Sequence, residues 1–407
     1  MKILYISYDG MTDPLGQSQV IPYLAGLSKK GHTITIISCE KKDRFSAQSA
    51  SIQQLLGDNN IKWEPVPYSR MPSVLSKQFN LSLITKKAQQ LCKEQRPDAV
   101  HCRSYMAALI GLKMKKKYHT KFIFDMRGFW ADERIDGKIW SLKNALHRRI
   151  YRFFKKKEIE FLSAADHTIS LTQNAKDEIL SWKPFVHHTI PITVIPCCAD
   201  LALFSAKHVD AAQARKAAKQ LKLADSDFVI SYLGSIGTWY MLDEMLDFFK
   251  RLLLKKANAK FLFITPDNPA HILQLAANKG IPANKIVIVS AGRKEVPLYL
   301  GLSALSIYFI KPLYSKKASS PTKTAEIMGM GIPLITNTGI GDSDLVLRGS
   351  SAGLLIDAFE NAEYDRVIEQ IDVLLKTDRS AIVQTSHDHF SLEKGVELYE
   401  RAYQQLN

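Results

Sequence analysis

The sequence predicts an α/β protein made of two doubly wound, Rossmann-like domains that share an interdomain cleft. Three observations lead there. The chain has 407 residues, and domains run to roughly 100–200 residues, so it needs two or three cores. Short β-branched runs alternate with longer helix-period stretches, the pattern of a parallel sheet covered on both faces. The alternation stops at a Pro-containing, weakly charged crossing, IPCCADLALF (195–204), and then begins again. In open α/β sheets the ligand lies beyond the carboxyl ends of the strands, and two such domains would share that space.

The opening MKILYISYDG has one Lys and a short apolar run that meets Asp9, which reads as a strand over 2–7 and not as a secretory signal. Strands follow at 33–38, 60–66, 98–102, 121–125, 167–171 and 192–196, with helix-period stretches such as 17–30 and 82–95 between them. After the crossing, strands are expected at 228–233, 260–264, 285–289, 305–310 and 333–336, and helices at 240–254, 268–279, 321–330 and 360–376. SLEKGVELYERAYQQL (391–406) is a strong amphipathic helix. The expected division is 1–198, 199–390 and a last helical segment, 391–407.

Composition narrows the function classes. An apolar fraction of 46% and a charged fraction of 23% are those of a soluble globular chain. No apolar run is long enough to span a bilayer. Five cysteines without C-x-x-C argue against a disulfide framework and against zinc, so the expected compartment is the cytoplasm. No G-x-G-x-x-G follows a strand, and neither G-x-x-x-x-G-K-[ST] nor G-x-S-x-G occurs, which disfavours dinucleotide enzymes, P-loop NTPases and α/β-hydrolases. The net charge of +15 is uneven: residues 1–199 hold 31 basic against 17 acidic side chains, and the remainder 24 against 23. A cationic half attracts nucleic acid, anionic lipid or phosphorylated substrates.

The most informative segment is SSPTKTAEIMGMGIPLITNTGIGD (319–342). Ser320 suits an N-cap and Pro321 the first helical position, giving a helix to about Met330. Such a helix start is an anion site, and Thr322, Lys323 and Thr324 lie in its first turn. Lys323 adds a full charge, and Glu326 lies one turn deeper on the same face. Amides and Lys323 would hold a diphosphate, and Glu326 would accept from ribose hydroxyls. The alternative is a capped helix with a surface Lys–Glu pair.

This segment resembles the C-terminal donor-site motif of the retaining GT-B glycosyltransferases of family 4. Four more stretches fit in order. Residues 6–32 resemble the family's first strand, glycine-bearing loop and first helix, and PDAVHCRS (97–104) its P-D-V-V-H strand end. VIPCCADLALF (194–204) resembles the interdomain V-I-P-x-G-V-D-x-x-x-F, and YLGSIGTWYMLDEML (232–246) the opening of its C-terminal domain. The last helix resembles the one that crosses back to the first domain.

The resemblance implies transfer of a sugar from a nucleotide-sugar with retention, by front-face attack of an acceptor hydroxyl assisted by the leaving phosphate. No metal and no further cofactor is expected. It places Gly234, Ser235, Gly341 and Asp342 near the donor, with the base near Gly292, Arg293 and Val296. It places Asp13, Gly16 and Gln17 of the first loop on the acceptor side. Departures are visible. The family's two Glu are separated by seven residues, and Ala318 stands where the first would be. The 234–238 loop lacks the usual Arg and Lys. The second His of the strand end is Arg103, so only His101 matches. The chain resembles the branch with S-P-x-K, here Ser320-Pro321-Thr322-Lys323. Lys323, Arg103 and His101 are the catalytic candidates.

Two further segments bear on function. FDMRGFWADERIDGKIW (124–140) follows a strand, and Asp125, Arg127, Trp130, Asp132 and Glu133 there, with Tyr105, read as an acceptor-binding cleft lining. The alternative is a loop whose ion pairs fix its shape. Asp342-Ser343-Asp344 imitates a metal-binding D-x-D but reads as loop chemistry. Cys197 and Cys198 should be buried. In 138–161, Ile139, Leu142, Leu146, Ile150, Phe153 and Phe154 recur at helical spacing. Lys143, Arg148, Arg149, Arg152, Lys155, Lys156 and Lys157 fill other positions. A basic amphipathic helix can lie on an anionic membrane, and the alternative is a helix packed on the sheet.

The reading is a peripheral membrane glycosyltransferase of polysaccharide biosynthesis acting on a glycan or lipid-linked saccharide. Its rivals are a nucleotide-sugar epimerase of GT-B architecture and a basic nucleic-acid-binding α/β protein. The last explains the charge but not 320–326.

Overall fold

The structure, a computed structural model, describes residues 1–69 and 74–406. The chain divides into two compact units. One comprises Met1–Cys197, Lys317–Ser319 and the segment from Leu392 onward; the other comprises Cys198–Lys316 and Ser320–Ser391. The division falls one residue ahead of the expected one, and 317–319 group with the first unit.

The first unit holds β1 (Lys2–Ser7), β2 (Thr33–Glu40), β3 (Ile61–Pro67), β4 (Ala99–Arg103), β5 (Lys121–Asp125), β6 (His167–Ser170) and β7 (Ile192–Val194). They form one parallel sheet in the order β3-β2-β1-β4-β5-β6-β7. The second unit holds β8 (Phe228–Leu233), β9 (Ala259–Ile264), β10 (Ile286–Val289), β11 (Leu305–Ile307), β12 (Leu334–Asn337) and β13 (Gly353–Ile356). Their order is β10-β9-β8-β11-β12-β13, again parallel. Burial on both faces explains the uninterrupted apolar runs: Ile3 to Ile6 and Phe261 to Ile264 are all buried. The strand order reverses beside β1 in one sheet and beside β8 in the other. Those reversal points are where ligands of doubly wound sheets bind, and both glycine-bearing loops, after Ser7 and after Leu233, leave from them.

Several elements depart from the sequence reading. The stretch 17–30 is two helices, Pro14–Gln19 and Ile21–Lys29, broken at Val20 with φ −126° and ψ −63°. Pro22 has no N–H for the carbonyl four residues back, so one continuous helix is not available. The basic helix spans Ala145–Ala164 and not 138–161, because the Asn144 side chain caps it by accepting from the amides of Leu146 and His147. The preceding helix, Trp130–Asp136, closes at Gly137. Strand β13 and the helix Arg379–Phe390 were not anticipated.

The last helix, Leu392–Gln404, buries Val396, Tyr399 and Tyr403 within the first unit. It packs on the helix Ile21–Lys29 at Gly26, where a Cβ would lie 2.5 Å from Val396 Cγ2. Polar contacts add to the seam: Glu400 pairs with His32 at 2.5 Å. The branched Val396 side chain has one strongly preferred rotamer and cannot turn aside. Gly26→Ala should therefore destabilise the protein by about 1–3 kcal/mol, the cost of overpacking. Adding Val396→Ala should recover part of that loss in a double-mutant cycle read by denaturant unfolding. Strict additivity of the two changes would show that the seam is not in contact there.

Candidate active site

In the second unit the helix Thr322–Gly329 starts one residue later than the sequence suggested. Pro321 is its N-cap, extended at φ −70° and ψ 116°, and no side chain caps it. Ser320 is not the cap, because Pro321 adopts the extended cap geometry itself. Ser320 and Thr322 are half-exposed at the helix start, where the first backbone N–H groups have no intrahelical partner. Thr324 turns inward, its hydroxyl 2.7 Å from that of Tyr308.

Lys323 is neither a surface cation nor the partner of Glu326. It is buried, its Nζ 3.6 Å from the ring centre of Tyr240 and 4.3 Å from that of Tyr232. The ammonium donates to Tyr232 Oη at 3.3 Å. Burial pushes it well below the ordinary lysine range, against the charges of Glu326 and Asp267. Ring faces also favour its cationic form. Gly234, at φ +99°, passes beside it, and a Cβ there would stand 3.3 Å from Nζ. A left-handed turn without a side chain thus gives the backbone its approach to the lysine.

Glu326 accepts from Arg293 Nη1 at 2.8 Å, and the Arg293 guanidinium lies over Phe204 at 5.1 Å. Two residues placed apart in the sequence reading therefore form one pair. Gly292 donates its amide to Glu295 Oε2 at 2.8 Å, and Val296 opens the short helix Val296–Leu300. Ser235 and the amide of Ile236 both bond Asp267, the latter at 2.6 Å. Asp267, unnoticed in the sequence, is what shapes the 234–238 loop. Gly341, at φ +50°, donates to the Lys316 carbonyl at 2.8 Å, and Asp342 precedes the helix Ser343–Arg348.

In the first unit the loop after β1 is held by Glu40, a buried carboxylate at the end of β2. It accepts from the amides of Met11 (2.6 Å) and Thr12 (3.2 Å), and from the hydroxyls of Thr12 and Ser38 at 2.5 Å each. Gly10 has no room for a side chain, since a Cβ would lie 2.6 Å from Glu40 Oε2. Gly16 packs as closely on the Gly10 carbonyl. Asp13 pairs with Lys41 at 2.9 Å and with Arg44. Burial opposes ionisation of Asp13, but those two cations outweigh it and lower the carboxyl from its ordinary value. Gln17 donates to Gln48 at 2.6 Å.

The ends of β1, β4 and β5 bring Ser7, Arg103 and Asp125 into one row. Arg103 is buried and its Nη1 has no hydrogen-bond partner among the described residues. Asp125 is 1% exposed and accepts from Tyr399 Oη at 3.1 Å. His101, also 1% exposed, shares a 2.7 Å hydrogen bond with Tyr403 through Nδ1, and its Nε2 is 3.6 Å from Asp125, too long for a hydrogen bond. Burial lowers the imidazole from its ordinary value, so it is held neutral. His101 and Asp125 thus face the last helix, and His101, a catalytic candidate in the sequence, is enclosed there. Arg127, at φ +58°, donates to Cys197 Sγ at 3.2 Å and lies 3.8 Å from Asp125. Cys197 and Cys198 are buried, as expected.

The rest of the 124–140 constellation is not gathered with these groups. After the left-handed Arg127–Gly128 turn, Phe129 and Trp130 enter the core, Trp130 4.7 Å from Phe154 and 5.9 Å from Tyr105. Tyr105 is fully buried and donates to Glu158. Asp132 accepts from Tyr151 at 2.8 Å and Lys155 at 2.9 Å, and Lys155 also pairs with Glu158. Tyr105 and Asp132 therefore build the unit, whereas Trp130 and Glu133 stay half-exposed. Lys155 is likewise no surface cation. Among the described residues no group of three or more His, Cys, Asp or Glu is placed to hold a metal ion.

Residues 16–203 match the model of Glycosyltransferase Family 4. No curated protein matches the chain by sequence. Among solved structures, sucrose-phosphate synthase from Thermosynechococcus elongatus superposes at a TM-score of 0.74 with 13% identity, over 100% of this chain and 99% of that one. Anabaena Alr3699/HepE in complex with UDP and glucose gives 0.69 with 14% identity, over 99% of each chain. The lipopolysaccharide outer core galactosyltransferase WaaB gives 0.64 with 13%, again over 99% of each. At such identities the likeness establishes the fold, and the fold is GT-B.

The buried lysine has a signature in stability. Its depressed value means the folded state binds fewer protons than the unfolded chain between that value and the ordinary lysine value. Stability contributed by this site is therefore lowest below that window and rises with pH through it. Lys323→Met should remove that rise and stabilise the protein at neutral pH. Unfolding free energies of both proteins at several alkaline pH values check this; parallel curves would show that Lys323 does not titrate abnormally.

Proposed function

We propose that this chain, whose residues 16–203 match Glycosyltransferase Family 4 and whose two units have the GT-B fold, transfers a sugar from a nucleoside-diphosphate sugar with retention of configuration. The second unit would bind the donor, and the first a glycan or lipid-linked saccharide. The single observation that carries the reading is the start of the helix Thr322–Gly329. Its unpaired amides, the enclosed Lys323 and the side-chain-free Gly234 adjoin one another, and Glu326 with Arg293 lies one turn deeper. Such a helix start suits an anion, with a carboxylate one turn along the helix for a ribose. The HepE structure in complex with UDP makes uridine diphosphate the first nucleotide to test.

In the proposed reaction the acceptor hydroxyl oxygen bonds to the anomeric carbon on the face the donor leaves. The bond from that carbon to the diphosphate oxygen breaks, its electron pair stays on the diphosphate, and the acceptor proton passes to the same phosphate oxygen. Charge therefore develops on the diphosphate. Donors already in place for it supply the largest catalytic term in many enzymes. The 234–238 loop has no Arg or Lys, so Lys323 and the helix amides are assigned that role. A bound diphosphate would favour the charged form of Lys323 that burial disfavours. Arg103, with an unpaired buried Nη1, is assigned to the acceptor side, with Arg127 beside it. No resident metal or cofactor enters the scheme. No described helix is long and apolar enough to cross a membrane. The excess of cations in the first half supports peripheral attachment to an anionic, cytoplasmic membrane face.

Thermal shift against nucleoside diphosphates tests the donor reading. A ligand at ~100 times its dissociation constant adds about 2.7 kcal/mol of stability. Glu326→Gln should weaken the nucleotide by roughly 1–3 kcal/mol, the scale of a charged hydrogen bond; unchanged affinity removes Glu326 from the ribose.

Lys323→Met separates catalysis from ground-state binding. Turnover should fall by roughly 10²–10³, as for a lost oxyanion donor, with a smaller change in donor KM. Near-wild-type kcat in steady-state kinetics would sink the leaving-group role of Lys323.

A further inference from the structure

The first unit contains a cavity of about 460 Å³ that the transfer reaction does not use. Its size is that of small-ligand sites. Met106, Leu109, Trp130, Trp140 and Phe154 form an apolar wall, and the polar groups at its edge are Lys77, Gln78 and Arg149. Lys77 and Arg149 have no acidic partner among the described residues. Burial of the Lys77 stem, and then the charge of Arg134, lower its ammonium from the ordinary value, a state that an incoming anion would relieve.

Outside the cavity the helix that lines it, Ala145–Ala164, carries further exposed apolar and cationic side chains. Leu146 and Phe153, which also line it, are 56% and 46% exposed, and Ile139 and Leu142 extend the patch. Arg148, Arg152 and Lys156 are exposed on the same helix. An open apolar cavity bordered by exposed apolar side chains, with Lys77 and Arg149 in its lining and further cations along the same helix, matches the cross-section of a membrane interface: hydrocarbon within, phosphate at the rim.

We infer that this cavity takes one hydrocarbon chain of an anionic membrane phospholipid, with its phosphate met by Lys77 and Arg149. The inference rests on the peripheral-membrane part of the proposed function and is independent of sugar transfer. The occupant is an amphiphile, because the wall is apolar apart from the indole N–H groups of Trp130 and Trp140, while the lining groups that carry charge are Lys77 and Arg149. It must be anionic, because the edge groups that carry charge are cations. A phospholipid is favoured over a lone fatty chain because the exposed patch would rest on neighbouring lipids.

Trp130 and Trp140 report occupancy directly. The full-length protein is mixed with vesicles of phosphatidylcholine, with or without phosphatidylglycerol, carrying bromine at mid-chain. Sedimentation reads attachment and tryptophan quenching reads chain entry. With phosphatidylglycerol the protein should sediment and be quenched; with phosphatidylcholine alone it should do neither. Arg152→Glu with Lys156→Glu should lower partitioning by roughly 20-fold or more. Leu109→Phe, which fills the cavity, should still sediment but lose most of the quenching. Sedimentation without quenching, or quenching unchanged in Leu109→Phe, overturns the cavity assignment and leaves the membrane reading standing. No sedimentation at low salt overturns both and leaves nucleotide binding untouched. A vesicle-free arm uses dodecyl phosphate and inorganic phosphate in thermal shift. Only the former should stabilise the wild type. Stabilisation by a prenyl phosphate with none by dodecyl phosphate would assign the cavity to a lipid acceptor and overturn the phospholipid.

Discussion

An ammonium group enclosed by protein must be matched by charge, hydrogen bonds or aromatic faces, or it gives up its proton. Lys323 lives under that constraint, and much of the second unit is arranged around it. Tyr232 comes from the end of β8 and Tyr240 from the far side of the following loop, and both present ring faces to Nζ. Gly234 between them has no side chain to fill the remaining side. Asp267 fixes that loop from the next strand end, through the Ser235 hydroxyl and the Ile236 amide. The result is an ammonium whose charge burial disfavours and the ring faces and tyrosine hydroxyl favour.

The first unit solves the same problem with carboxylates. Glu40 at the end of β2 is buried, and the donors it gathers are amides and hydroxyls of the loop after β1. A carboxylate so placed cannot be removed without leaving several donors unpaired, so it fixes the loop's shape. Asp125 at the end of β5 does this for the last helix. Tyr399 bonds it directly, and Tyr403 reaches His101 on the neighbouring strand. The Tyr-rich helix that closes the chain is thus bound by strand-end polar groups as well as by Val396 against Gly26.

How much of this was legible follows from the range of each interaction. Strands with uninterrupted apolar runs, such as Lys2–Ser7 and Phe228–Leu233, could be read because burial on both faces writes itself into a local pattern. The start of the helix Thr322–Gly329 was visible to within one residue from its proline, although Ser320 is not the cap. Partnerships were not. Glu326 was legible as a site candidate, but its pairing with Arg293 spans 33 positions, and nothing in either neighbourhood encodes it. The aromatic enclosure of Lys323 joins it to a tyrosine 91 positions away. Trp130 and Asp132 looked like cleft residues because they follow a strand end. The left-handed pair Arg127–Gly128 redirects the chain, and a positive φ at an arginine has no sequence signature.

The fate of Lys155 shows how a charge count should be read. Six cations lie on the helix Ala145–Ala164, and a helical wheel alone treats them alike. Lys155 is taken inward by Asp132 and Glu158, where burial disfavours its charge but those two carboxylates outweigh it and raise its ammonium above the ordinary value. Lys157 pairs with Glu160. Arg149, Arg152 and Lys156 make no such pair among the described residues and stay exposed, on the helix that also exposes Leu146 and Phe153. Internal pairing therefore reduces the charge available to a partner but leaves it concentrated beside exposed apolar side chains. Cations spread over a polar surface would suit a nucleic acid, which offers phosphates but no hydrocarbon. Cations beside exposed leucine and phenylalanine suit a surface that offers both.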